Sequence, residues 1–216
     1  MTGGPAAKLD HLVVTAPSLE NGVEWVEAIL GVPLQAGGAH PRMGTHNALL
    51  RLGESTYLEV LTPDPAAAAP HRPRWFALDS MSPDAAPALV TWAARTTDIR
   101  RAVEECPSGY GDVEPMSRGP HQWLMTLTPD GSLAGGGAMP FLIEWVSSPH
   151  PASTLIDRGC SLSRLELYSP EAGALGVALA CLGLERDSVI KVRSAEAVRL
   201  VAHIDTPGGT KVLGEQ

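Results

Sequence analysis

Apolar positions along this chain alternate between strand and helix spacing, and the alternation repeats. Residues 8–15 read as a strand of nearly continuous apolar character, broken at Pro17-Ser18, where Ser18 can cap a helix. Leu19, Val23, Val26, Ile29 and Leu30 then follow helical spacing, and Gly31 fits the position after the last turn. A short strand near 33–36 and strands at 46–52 and 56–62 follow, the last two joined by a tight hairpin at Gly53-Glu54-Ser55. After a Pro/Ala-rich connection the order recurs. Leu89–Arg95 reads as a strand and Thr97-Asp98 caps a short helix through Glu105. Strands at 112–117, 122–128 and 140–146 complete the unit. A third copy runs from strand Leu162–Tyr168 through a helix at 172–182 to strands near 188–193, 197–205 and 210–213.

Three units of roughly 55–70 residues with one element order make the chain internally repetitive. The predicted fold class is α+β, built from βαβββ modules at 8–62, 88–147 and 161–214, with a connection at 63–87. One module leaves a sheet face bare. Two paired modules curl into a half-open barrel with helices outside and a cleft within, which leaves the third a structural role.

A net charge of −8 argues against nucleic acid and anionic membranes, both of which need clustered Lys/Arg. Residues 1–8 show no hydrophobic targeting segment and no stretch reaches the ~20 apolar residues of a membrane span, so a cytoplasmic protein is expected. Cys106, Cys160 and Cys181 lack CxxC spacing and are odd in number, so buried reduced thiols are the expectation.

Candidate chemistry lies on the strands. Glu59 in Tyr57-Leu58-Glu59-Val60-Leu61 and Glu144 in Phe141-Leu142-Ile143-Glu144-Trp145 each sit among apolar strand residues, and an acid there is costly to bury without a positive partner. His11 lies inside the first strand. One histidine and two carboxylates on separate strands can build a divalent-metal site, and each also has a plainer reading: a satisfied buried histidine, a salt-bridged Glu59, a solvated Glu144. If a two-residue turn sets Leu50 opposite Glu59, His46 shares the face of Glu59 but lies ~13 Å along the strand, so it reads as a substrate contact. Arg118 is a candidate anion clamp, and Trp92 and Trp123 are candidate cleft walls, each with a solvated-loop or core alternative.

The segments Leu9–Val14, Gly44–Leu49, Tyr57–Leu61 and Pro140–Trp145 resemble the vicinal oxygen chelate superfamily, and within it the glyoxalase-like domain proteins. The resemblance implies a divalent metal (Fe, Mn, Ni or Zn) held by His11, Glu59 and Glu144, with Glu59 or Glu144 as catalytic base. The fourth ligand position falls near Thr91, where this chain has no histidine. It implies a metal-dependent isomerase, lyase or dioxygenase acting on a small molecule with vicinal oxygens. The alternative it leaves open is a metal-free protein that binds or sequesters a small molecule. The third unit has Arg164 in place of His11 and no carboxylate on its last strand before Glu215, so it is expected to cover a sheet or to pair with a second copy in a homodimer.

Overall fold

A computed structural model of the chain describes residues 6–106 and 109–214; residues 1–5 of the N-terminal stretch, and Glu215, lie outside them. Unit one comprises β1 (Lys8–Thr15), α1 (Leu19–Leu30), β2 (Gln35–His40), β3 (Thr45–Arg51) and β4 (Tyr57–Pro63). Unit two comprises β5 (Ala88–Arg95), α2 (Ile99–Glu105), β6 (Asp112–Arg118), β7 (His121–Leu127) and β8 (Phe141–Trp145). After a short helix α3 (Pro151–Thr154) come β9 (Ser161–Ser169), α4 (Ala172–Cys181), β10 (Ile190–Ser194), β11 (Arg199–Thr206) and β12 (Gly209–Leu213).

The helix signals act where the sequence puts them. Ser18 Oγ accepts from Asn21 N–H at the start of α1, Gly31 ends it in the left-handed region (φ 71), and Asp98 caps α2 through Arg101 N–H. β2 is displaced from the expectation at 33–36. It runs through Gly37-Gly38, which have no strand propensity of their own.

Strands of the first two units form one eight-stranded sheet in the order β2-β3-β4-β1-β5-β8-β7-β6. In each unit the first strand pairs in parallel with the last (β1 with β4, β5 with β8), and β1 and β5 pair antiparallel at the centre. The sheet curls until its edges approach: Arg42, in the β2–β3 turn, donates to Pro115 O at 2.6 Å and pairs with Glu114 of β6. The concave face is the cleft. The convex face carries Leu12, Val14, Leu58, Val60, Trp92 and Leu142, all without exposure. Each such side chain contributes about 2 kcal/mol of burial.

The third unit shares the element order but not the pairing. Its sheet runs β10-β9-β11-β12, so β9 pairs in parallel with the second strand of the unit rather than with the last. Leu165, Leu167, Leu200 and Ile204 join the same core as the convex face of the large sheet. The Leu165/Leu167 face is thus occupied within the chain; Arg164 is exposed, and Glu166 is held by Tyr168, Arg193 and His203. The thiol expectation is corrected. Cys106, just after α2, and Cys181, at the end of α4, form a disulfide joining units two and three, and only Cys160 is free. Cysteine spacing carried no sign of a pairing between the C-terminal ends of two helices distant in sequence. No helix of the described residues is long and apolar enough to cross a membrane.

Candidate functional site

Strand alternation decides which side chains enter the cleft. His11 pairs with Tyr57 and Val13 with Glu59, so Tyr57 and Glu59 share the concave face; on β8 that face carries Phe141, Ile143 and Trp145. Trp123 and Met125 of β7, His40 of β2, Arg118 of β6, and Trp75 and Phe76 of the connection complete a narrow cleft, partly open to solvent.

At its floor, the His11 Nδ1 to Asp10 Oδ1 distance is 2.6 Å, and the imidazole stacks on Tyr57 with ring centroids 4.4 Å apart. Asp10 is fully buried. Its other oxygen receives Trp145 Nε1–H at 3.1 Å and lies 2.9 Å from His150 Nε2. Burial alone would raise the Asp10 pKa, but the hydrogen bonds and charges of His11 and His150 win and hold it well below the ordinary carboxylate range. An ionised carboxylate only accepts, so His11 Nδ1–H donates to Asp10, and Nε2 faces the cleft, 3.7 Å from Glu59 Oε2. Burial, with Asp10 and Glu59 nearby, keeps the Tyr57 phenol protonated well above its usual range.

A second chain of contacts crosses the mouth. Asn47 Oδ1 accepts from Gly38 N–H at 2.8 Å and from Arg118 Nη1 at 3.0 Å, while its Nδ2 donates to Glu59 Oε1. Gly37 leaves room for this amide, since a Cβ there would lie 1.9 Å from Asn47 Oδ1. His40 is 4 % exposed, and its Nδ1 lies 3.3 Å from Thr45 Oγ1. Burial lowers its pKa from 6.5 to about 4, against the opposing pull of the Glu59 charge, so it is neutral at pH 7.

A family model described as a glyoxalase-like domain matches residues 9–183. The chain belongs to that family. Among solved structures it is similar to a hypothetical protein from Staphylococcus aureus, at 15% identity and a TM-score of 0.61, covering 89% of this chain and 88% of that one. Methylmalonyl-CoA epimerase from Mycobacterium tuberculosis matches at 17% identity and a TM-score of 0.45, over 71% of this chain and 97% of the other. The Streptomyces coelicolor epimerase in complex with 2-nitronate-propionyl-CoA gives 17% and 0.45, over 67% and 99%. At 15% identity the likeness to the Staphylococcus aureus protein is one of fold. The comparison with curated proteins gives no match.

In this glyoxalase-like cleft, His11, Glu59, Arg118 and Trp123 lie together, and three other candidates lie elsewhere. Glu144 is on the convex face, where its carboxylate accepts Ile99 N–H at 2.8 Å at the start of α2. The offset between Glu59 and Glu144 is one residue out of phase, and a period-two strand turns that slip into a change of face. Trp92 is also convex: fully buried, with its indole N–H on Ala138 O at 3.0 Å. His46 pairs with Thr62, off the Glu59 face, because Leu49 rather than Leu50 lies opposite Glu59. The hairpin loop, residues 52–56, is longer than the assumed turn, and the register it sets brings Asn47 in instead. The three-ligand metal set therefore does not assemble. His11 and Glu59 are together without Glu144, and no cluster of three His, Cys, Asp or Glu suited to an ion occurs among the described residues.

Trp75, Phe76, Asn47 and His40 were missed. The Trp-Phe pair inside a Pro/Ala-rich connection, and Gly-Gly inside a strand, were the available signals.

Proposed function

We infer that this glyoxalase-like protein is an isomerase-type enzyme that moves a proton on a small enolisable molecule, with His11 as base. The observation that carries this is the orientation of His11: buried Asp10 takes Nδ1–H, leaving Nε2 as a proton acceptor in an aromatic-walled cleft. A proton passes from a carbon beside a carbonyl to Nε2, and the electron pair of the broken C–H bond spreads onto the carbonyl oxygen. The imidazolium so formed lies between Asp10 and Glu59, whose carboxylates offset its charge. Returning the proton to a different face or atom gives the isomer. Every atom is conserved and no electron leaves the substrate.

The test is solvent exchange. Enolisable acids and ketones are incubated with the protein in D2O, and loss of the C–H signal is followed by proton NMR. Exchange should fall on the order of 10²-fold or more in His11→Gln. Equal exchange in the variant would move the base elsewhere. Ligands that bind the wild type without exchanging would favour a metal-free binding protein instead.

A further inference from the structure

We propose that the cleft takes a small monocarboxylic acid with a flat aromatic or unsaturated body, its carboxylate held by Arg118 and by the indole N–H of Trp75. The proposal rests on the His11 reading only for which way the ligand points.

Arg118 is the cationic side chain lining the cleft apart from its histidines, and its contact there is the single bond from Nη1 to Asn47. The rest of its planar fork meets no acceptor among the described residues, and such a fork suits a carboxylate. Trp75 gives an independent sign. It is 4 % exposed, yet its buried Nε1–H has no hydrogen-bond partner among the described residues. Stranding a buried donor costs about 1–3 kcal/mol, and a ligand acceptor would remove that cost.

Local structure holds this donor in place. Phe76 and Ala77 both adopt left-handed backbone (φ 57 and 56), a strained choice for non-glycine residues. Arg74 secures the bend by bonding Asp79 and Gly44 O, and Ala77 N–H bonds Gly131 O at 2.7 Å. Elsewhere the cleft is walled by Trp123, Trp145, Phe76 and Phe141, which suit a flat body. Asn47 stands between Arg118 and Glu59, so the anionic end of a ligand at Arg118 is set apart from the Glu59 carboxylate. One guanidinium and one indole N–H match a monoanion; a phosphate dianion would find no second fixed cation among the described residues that line the cleft.

Isothermal titration with phenylpyruvate and phenylacetate, against the neutral phenylacetamide, tests this. The acids should bind on the order of tenfold tighter than the amide, and Arg118→Gln should remove that preference. Trp75→Phe, which keeps the ring and deletes the donor, should weaken the acids several-fold. Acids binding no better than the amide, or an acid preference surviving in Arg118→Gln, would overturn the proposal. Circular dichroism of each variant establishes that it is folded, and Arg118→Lys, which keeps the charge, should retain part of the preference. The two readings fail separately. Arg118-dependent acid binding without proton exchange sinks the base and keeps the ligand class; exchange on neutral ketones with no acid preference does the reverse.

Discussion

His40 is a buried neutral histidine at the cleft, and its protonation should be visible as stability. Its folded pKa lies at about 4 and the unfolded value at 6.5. Between them the unfolded chain binds more protons, so stability falls as pH falls: the penalty is negligible well above 6.5, grows below it, and is complete below about 4. At pH 5 the two values give a penalty of about 2 kcal/mol, and at pH 7.5 about 0.1 kcal/mol. In His40→Gln this contribution is absent. The assay is urea unfolding followed by tryptophan fluorescence at both pH values, for wild type and variant. The wild type should lose about 2 kcal/mol more than the variant on going from pH 7.5 to 5. Parallel losses would refute the claim that His40 is held neutral by burial.

Two glycine substitutions should act in opposite directions. Gly37→Ala drives a Cβ to 1.9 Å from Asn47 Oδ1, and should cost about 2–4 kcal/mol in urea unfolding while weakening ligand binding. Gly176→Ala, in α4 with nothing within 4 Å, should stabilise by about 0.5–1 kcal/mol. The Cys106–Cys181 disulfide closes a 75-residue separation, so Cys106→Ser/Cys181→Ser should lower unfolding free energy by up to about 4 kcal/mol. Unchanged denaturant midpoints under reducing and oxidising conditions would count against the bond.

Element order was legible because it rests on local signals. The Ser18 and Asp98 caps, the left-handed Gly31 and the apolar runs of β1, β4 and β8 are written within a few residues of where they act. His11 and Glu59 were legible for the same reason, each being a polar residue on an otherwise buried strand. Register was not. The loop between β3 and β4 decides whether Leu49 or Leu50 faces Glu59, and that choice exchanges His46 for Asn47. Glu144 failed by the same one-residue margin. Trp75 enters the cleft through a left-handed bend at Phe76 and Ala77, a conformation no propensity assigns to those residues. The pairing of the third unit depends on which strand lies beside β9, a long-range choice absent from a shared element order.

The central claim is that Asp10 fixes the tautomer of His11 and turns an unprotonated Nε2 to the cleft. Two-bond nitrogen–proton NMR of the ¹⁵N-labelled protein at mildly alkaline pH reads this directly, with His11 assigned by its loss in His11→Gln. The account predicts a protonated, pyrrole-type Nδ1 and a pyridine-type Nε2 in the wild type, and loss of that single pattern in Asp10→Asn. A proton resident on Nε2 of the wild type, or a pattern unchanged in Asp10→Asn, would contradict it.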